Sequence, residues 1–415
     1  MPLPFLENVL FNGPPDWVPD GWIIFTVVVV IGAIYSIKAY STGTANDAER
    51  DMHGRVVMIT GGTSGIGAAT ARDLAERGAQ IVLLTRLPPS DAFLADFVGE
   101  MRGSTNNEMI YAEQVDLSSL HSIRQFATRW IDNSPPRRLD MIILCAATLT
   151  PPGGERRETA EGIEETWMVN YLANFHLLGI LSPAIRAQPF DRDVRIIIPT
   201  CSAYISAPPL AVELDKKSWT PSRAYARSKL ALMSFGQAYQ KHLDAYKRPD
   251  QLPMTARVHF VDPGLVRTPG MRRWLTRGTV WGLVLYLAGY IFPWLLLKSA
   301  EMGAQTVLYA VLEPSLVRGP GGKLLKECIE VDCARKDVKD ERIAEELWKA
   351  SDKLIEKTEK EQAAIRALEK KAQEMKEEDK KNDEKAKEIG ALVDSIKKGK
   401  EAEKTKSRRK GKKAT

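Results

Sequence analysis

Tyr225 and Lys229 lie four residues apart in the run Tyr225-Ala226-Arg227-Ser228-Lys229. On a helix that spacing places a phenol and an ammonium on one face. An unperturbed tyrosine, with a pKa near 10, is a poor proton carrier at neutral pH, but an adjacent lysine charge and an oxidised nicotinamide both favour the phenolate. The pair is therefore a candidate acid/base. Taken alone it also fits an ordinary surface pair, although no other Tyr in the chain has Lys four residues on. Upstream, Thr60-Gly61-Gly62-Thr63-Ser64-Gly65-Ile66-Gly67 forms a TGxxxGxG turn directly after the apolar run RVVMIT and directly before a helical stretch. Glycines let the backbone approach phosphates closely, and the helix N-terminus supplies free N–H groups and a positive dipole end. In that setting the turn reads as a dinucleotide site contacted by Gly61, Ser64, Gly65, Ile66 and Gly67. The next strand, IVLLT, ends without a carboxylate for a ribose hydroxyl, and Arg86 follows at once. An arginine suits a 2′-phosphate, so the expected cofactor is NADP(H) rather than NAD(H).

These groups need a scaffold, and the hydrophobic pattern supplies one. Between Gly54 and about Val331, short apolar runs (RVVMIT, IVLLT, MIILCAA, VRIIIPT, ARVHFVDPG) alternate with amphipathic stretches. Continuous apolar strands flanked by helices imply a parallel sheet covered on both faces, an α/β doubly wound Rossmann-type fold with its ligand beyond the strand C-termini.

Outside that body, Trp22 to Tyr35 runs without a charge and extends to Tyr40 with only Lys38 inside, about long enough to span a bilayer. No Lys or Arg precedes it, as a signal peptide would require. We read residues 21–40 as a transmembrane anchor and 41–53 as a linker. Lys38, Arg50 and Arg55 follow the segment while Glu7, Asp16 and Asp20 precede it, so residues 1–20 are expected to be lumenal and the body cytosolic. A second apolar block, Val280–Leu297, is bounded by Arg272, Arg273, Arg277 and Lys298. The strand-like GKLLKECIEV that follows belongs with the same sheet, so residues 272–298 are expected to dip into one leaflet rather than cross, with Pro293 breaking the helix. A greasy substrate lid is the alternative.

From about Ala334 the chain turns Lys/Glu-rich. Ile365, Leu368, Ala372 and Met375 keep heptad spacing, but Asp379 and Asn382 interrupt the seam, so a solvated helix is expected over 357–415, ending in the basic KSRRKGKKAT. The net charge of +6 is concentrated there: residues 397–415 hold ten Lys/Arg and two Glu, which leaves 49 basic against 51 acidic residues before them. That balance removes a general basic surface as an argument for nucleic-acid binding, and none is expected, although the tail could still meet an anionic partner. With 415 residues, 44% hydrophobic content and four Cys, the chain is neither a disulfide scaffold, a disordered protein nor a multispanning transporter. Cys145, Cys201, Cys328 and Cys333 have no His at ligand spacing, so no metal site is expected and a reducing, cytosol-facing compartment fits.

Together these residues resemble the short-chain dehydrogenase/reductase family and, within it, the membrane-attached, retinol-dehydrogenase-like branch. The likeness covers about residues 54–356. Beyond the glycine turn and the Tyr/Lys pair it rests on Asp116-Leu117, Thr159-Ala160-Glu161-Gly162 leading to Val169-Asn170, Asp262-Pro263-Gly264 with Thr268, Gly303-Ala304-Gln305-Thr306 and Leu347-Trp348-Lys349-Ala350-Ser351. The resemblance implies Tyr225 as general acid or base, with Lys229 lowering its pKa and holding the nicotinamide ribose. It also implies Asn170 positioning a water and Ser202 bonding the substrate oxygen. Asp116 and Leu117 would contact the adenine, Ala146 the cofactor ribose, and Val266 and Thr268 the carboxamide.

Two departures stand out. The family's NNAG strand end is here Leu144-Cys145-Ala146-Ala147, and Cys201 competes with Ser202 for the hydroxyl position. Lys412-Lys413-Ala414-Thr415 resembles a dilysine retrieval signal of endoplasmic-reticulum membrane proteins. The expected protein is thus an NADP(H)-dependent oxidoreductase of the endoplasmic-reticulum membrane. It would interconvert alcohol and carbonyl on a retinoid, sterol, polyprenol or long-chain lipid. The alternative is a catalytically impaired membrane tether recruiting a partner through its tail. Homo-oligomerisation and a protein partner at the C-terminal tail stay open.

Overall fold

The computed structural model describes residues 21–133, 137–210, 214 and 216–411. The expected lumenal segment 1–20 and the terminal dilysine lie outside these residues. The chain divides into two units, Met1–Lys353 and Leu354–Thr415, so the main body ends three residues before the expected 356.

In the first unit an eight-stranded sheet has the order β3-β2-β1-β4-β5-β6-β7-β8. Its strands are β1 Val56–Thr60, β2 Gln80–Thr85, β3 Ile110–Gln114, β4 Met141–Leu144, β5 Val194–Pro199, β6 Ala256–Asp262, β7 Lys323–Lys326 and β8 Ile329–Val331. All neighbours are parallel except β7 and β8. The sequence pattern follows from double-sided burial. Val57, Ile59, Ile81, Leu83, Ile143 and Ile197 join one core cluster with Leu74, Leu94, Val307 and Val311. The alternate residues Met58, Val82, Ile142, Ile196 and Ile198 are buried as well, and by pleat parity face the other way.

On the first face lie α2 (Gly65–Glu76), α3 (Ala92–Thr105) and α10 (Ala300–Leu312). The second carries α4 (Leu120–Ile131), α5 (Glu165–Arg186) and α6 (Pro221–Ala245). Helix starts are set by local chemistry: Asp91 accepts from Leu94 N–H, Ser119 from Ser122 N–H, and Thr220 from Arg223 N–H ahead of Pro221.

A helix of 22 residues, α1 (Gly21–Thr42), carries the N-terminal apolar run with its side chains exposed. At ~1.5 Å per residue it is about 33 Å long, enough to cross a hydrocarbon core. The segment to β1 is held against the body: Thr44 N–H donates to Glu327 Oε2 at 3.0 Å, Asn46 N–H to Gln305 Oε1 at 3.0 Å, and Arg50 pairs with Asp193 at 2.6 Å. Beyond β6, α7 (Pro269–Leu275) leads into the second apolar block, which is two short helices, α8 (Val280–Ala288) and α9 (Ile291–Leu296). The break falls at Gly289-Tyr290 rather than at Pro293, because Pro293 sits in the first turn of α9, where its missing N–H has no helical partner to lose. Trp281, Leu285 and Phe292 are among its exposed apolar side chains. The end of α1 docks on α9: Lys38 Nζ donates to the Trp294 carbonyl at 2.7 Å, and Ser41 Oγ to the Leu295 carbonyl at 2.5 Å.

The last helix, α11 (Glu341–Gly411), starts within the first unit. There Trp348 closes the α5/α6 face, its ring 5.3 Å from Phe175 and 5.4 Å from Phe235, while Ser351 Oγ and Tyr171 Oη lie 2.7 Å apart. In the second unit α11 continues as the charged helix expected, with Ile365, Leu368 and Met375 exposed.

Two predictions follow from the packing. Trp348→Ala should remove about 3 kcal/mol of stability, whereas Leu368→Ala in the second unit should change it by less than about 0.5 kcal/mol; chemical denaturation of the full-length chain compares them. His259, buried on β6 with neither ring nitrogen hydrogen-bonded among the described residues, is held down to about 3 by burial and by the nearby Arg195 and Lys323. Below pH ~6.5 the unfolded chain therefore binds a proton that the folded chain refuses, and stability falls by up to about 1.4 kcal/mol per pH unit down to about 3. Melting midpoints measured from pH 7 to pH 4.5 should show that slope, and His259→Leu should reduce it.

Candidate active site

The expected site residues sit on segments that leave the parallel strands at their C-terminal edge. The glycine turn joins β1 to α2. Gly61 has φ +67, and a Cβ there would lie 2.8 Å from Ala146 Cα, so the turn and the end of β4 are in backbone contact. Thr60 Oγ1 completes that junction by accepting from Ala146 N–H at 3.1 Å. A Cβ on Gly67 would lie 2.4 Å from the Gly61 carbonyl oxygen. Ser64 occupies the N-cap of α2, and its side chain caps no amide of that helix, which leaves the first-turn N–H groups without a side-chain cap. The cradle therefore fits a pyrophosphate. Leu144, Cys145 and Ala147 stand where the family has its two Asn and its Gly, but Ala146 keeps the family's Ala, and it is there that the close backbone approach of Gly61 is made.

Thr268, expected at the carboxamide, lies at this turn: a Cβ on Gly65 would be 3.0 Å from its γ-methyl. Its hydroxyl caps α7 by accepting from Met271 N–H, and its own N–H donates to the Val266 carbonyl at 2.9 Å. Val266 is buried against Gly303 of α10. At the other end, Arg86 is exposed immediately past β2. The Asp116 carboxylate turns onto Ser118, accepting from its N–H at 2.8 Å and its hydroxyl at 2.7 Å, with Leu117 half-buried beside it.

The chemical centre lies where α6 crosses the end of β5. Lys229 is buried and donates to the Pro199 carbonyl at 3.0 Å; its Nζ is 5.8 Å from the centre of the Tyr225 ring. Burial pulls the ammonium below its usual value, offset in part by the sulfurs of Cys201 and Cys145. The expectation that Lys229 lowers the Tyr225 pKa is not met by these side chains. Burial, then Cys201 and Asp262, push the phenol well above 10. The ammonium is turned toward Pro199, to whose carbonyl it donates, and lies over the ring 5.8 Å from its centre. Cys145, in the floor, is pushed up to about 12 by burial.

Asn170 lies in a π-helical turn, Met168–Leu172, at the start of α5. Such turns often mark functional sites. Its amide is committed: Nδ2 donates to the Thr148 carbonyl at 3.0 Å and to Ser228 Oγ at 3.1 Å, while Oδ1 accepts from Thr148 N–H at 2.7 Å. Asn170 therefore ties the β4 loop to α6, and its side chain has no N–H left for the expected water.

The hydroxyl expected at the substrate oxygen also differs. Ser202 Oγ donates to Asp262 Oδ2 at 2.9 Å, away from Tyr225, and the atom next to the phenol is Cys201 Sγ, 3.8 Å from Tyr225 Oη. Sequence reasoning passed over Thr60, Thr148 and Ser228, which hold the site through loop and helix contacts. Thr60 stands inside the glycine motif and Ser228 inside the Tyr/Lys motif, so both were within reach of the pattern, and Thr148 was not. Among the described residues no group of three or more His, Cys, Asp or Glu is placed to hold a metal ion.

Comparison with known proteins agrees with this geometry. The sequence pattern described as short chain dehydrogenase matches residues 55–277. An uncharacterised oxidoreductase of Schizosaccharomyces pombe is 40% identical over 87% of this chain and 97% of its own. A mouse polyprenol dehydrogenase is 33% identical over 71% of this chain and 82% of its own. Human retinol dehydrogenase 13 is 30% identical over 79% and 92%.

The electrostatics predict that the isolated protein keeps Tyr225 protonated beyond the ordinary tyrosine value near 10. Ultraviolet titration of wild type minus Tyr225→Phe, without added nucleotide, should show no phenolate step below that pH; a step near neutrality would contradict it.

Proposed function

Because the chain belongs to the short-chain dehydrogenase/reductase family of NAD(P)-dependent oxidoreductases, we propose that it interconverts an alcohol and a carbonyl on a lipophilic substrate at the endoplasmic-reticulum membrane, using NADP(H). One arrangement carries this reading: Tyr225 and Lys229 share one face of α6 at the end of β5, with the glycine cradle at the same sheet edge. When bound, the dinucleotide supplies or accepts the hydride.

The chain's own residues do the rest. Tyr225 gives its proton to a carbonyl oxygen becoming an alkoxide, or takes one from an alcohol, and its raised pKa suits the donor role. Lys229, fixed by Pro199, would hold the nicotinamide ribose and keeps α6 seated on β5. Asn170 and Ser228 lock the same helix to the β4 loop. The N-terminus of α2 and the turn at Gly61 accept the pyrophosphate. Arg86, exposed past β2, is placed for a 2′-phosphate, which favours NADP(H).

Substrate class is inferred from the surroundings. An apolar α1 of spanning length is docked on α9, α8 and α9 are exposed and apolar, and α7 links them directly to the β6 loop of the site. Lipophilic molecules partition into the layer such a surface enters. The printed names of two relatives, polyprenol and retinol dehydrogenase, point the same way. The cytosolic orientation rests on the cations that follow α1, and the address on the terminal dilysine.

Full-length protein in lipid vesicles should oxidise NADPH in the presence of retinal or a polyprenal. Tyr225→Phe should lower turnover by about 100-fold or more, and Arg86→Asp should cut the preference for NADPH over NADH by about tenfold. Equal rates for wild type and Tyr225→Phe would end this reading.

A further inference from the structure

We propose that the Cys201 thiol, rather than a hydroxyl, is the catalytic hydrogen-bond donor that faces the substrate oxygen beside Tyr225. The inference rests on the alcohol/carbonyl reading and deepens it.

Three observations carry it. Cys201 continues β5 in an extended conformation, φ −162 and ψ 161, so consecutive side chains there point to opposite sides. Cys201 falls on the side of α6, 3.8 Å from the phenolic oxygen, and is half-buried. Ser202 falls on the other side and opens the short 3-10 turn Ser202–Ser206. Its one proton is given to Asp262, a carboxylate that also accepts from Gly264 N–H at 3.0 Å and lies 3.6 Å from Lys326. Bringing Ser202 to the substrate would strip Asp262, itself buried, of a donor. The neighbouring Thr200, just past β5, is buried; its N–H donates to the Val261 carbonyl at 2.7 Å and its hydroxyl has no hydrogen bond, to Tyr225 or otherwise, among the described residues.

A substrate oxygen accepting from Tyr225 Oη thereby stands beside a second donor, the S–H of Cys201. No covalent bond to sulfur forms: the thiol keeps its proton and stabilises the developing negative charge while Tyr225 transfers its own. A thiol is a weaker donor than a hydroxyl. The geometry therefore assigns Cys201 a modest electrostatic role together with a soft, polarisable wall against an apolar substrate.

The test uses full-length protein in vesicles with retinal and NADPH. Cys201→Ala should reduce kcat by about tenfold, less than the loss of a strong oxyanion donor. Cys201→Ser should restore or exceed wild-type kcat, which a purely space-filling role would not require. Ser202→Ala should have the smaller effect.

A second readout is independent of turnover. Mass spectrometry of maleimide-treated protein should show retinal with NADP+ slowing alkylation of Cys201 by about fivefold or more while leaving Cys328 unchanged. Cys201→Ala with wild-type kcat, Cys201→Ser as slow as Cys201→Ala, or alkylation of Cys201 indifferent to retinal would each overturn the assignment. A fully active Tyr225→Phe, by contrast, would sink the underlying acid/base reading and leave the labelling result to judge Cys201 on its own.

Discussion

An ammonium can be taken out of water only where the fold answers its charge, and Lys229 is the buried cation around which this site is arranged. Its answer is one carbonyl, that of Pro199, at 3.0 Å. That single bond fixes the height of α6 over β5, and the height sets how far Tyr225 stands from the end of the strand. Asn170 reinforces the same seam from the other flank by gripping Thr148 and Ser228 at once. The apolar sheet beneath, buried on both faces, makes the seam rigid, since neither β5 nor α6 can shift without opening the core. Function here depends on a helix held to a strand by few but well-placed polar contacts.

How much of this was legible in the sequence depended on range. The glycine turn and the Tyr225/Lys229 pair were readable because their chemistry is written within eight consecutive residues and sits on elements with strong periodicity. The parallel sheet was readable because five apolar runs recur between helical stretches. The choice between Cys201 and Ser202 was not readable, because adjacent residues at a strand end differ only in parity. That parity is decided by pairing with β6 and by where the following 3-10 turn begins. The effect of Lys229 on Tyr225 was misjudged for a similar reason: spacing places two groups on one face, but the distant carbonyl of Pro199 decides where the ammonium points, and burial then outweighs it. Pro293 was expected to break the apolar block, and the break came at Gly289-Tyr290 because a proline in a helix's first turn loses nothing.

The strand-end substitutions at β4 leave its junction with the glycine turn intact. Leu144 and Cys145 lack the family's side-chain amides and Ala147 its glycine, yet at Ala146, which is unchanged, the approach of Gly61 and the hydroxyl of Thr60 keep the two strand ends joined. A motif can thus depart from its family spelling and keep its geometry when the partner turn retains its glycine.

The stretch between α1 and β1 is gripped by Glu327, Gln305 and Asp193, and α1 itself is bolted to Trp294 and Leu295. Such a mount has no swivel. If α1 spans a bilayer as proposed, a change in bilayer thickness that leans the helix would lean the whole sheet with it instead of being absorbed by slack chain. The working mouth would then look at the lipid at an angle dictated by the thickness of the surrounding membrane, and the protein would sense, in its turnover, which membrane it inhabits.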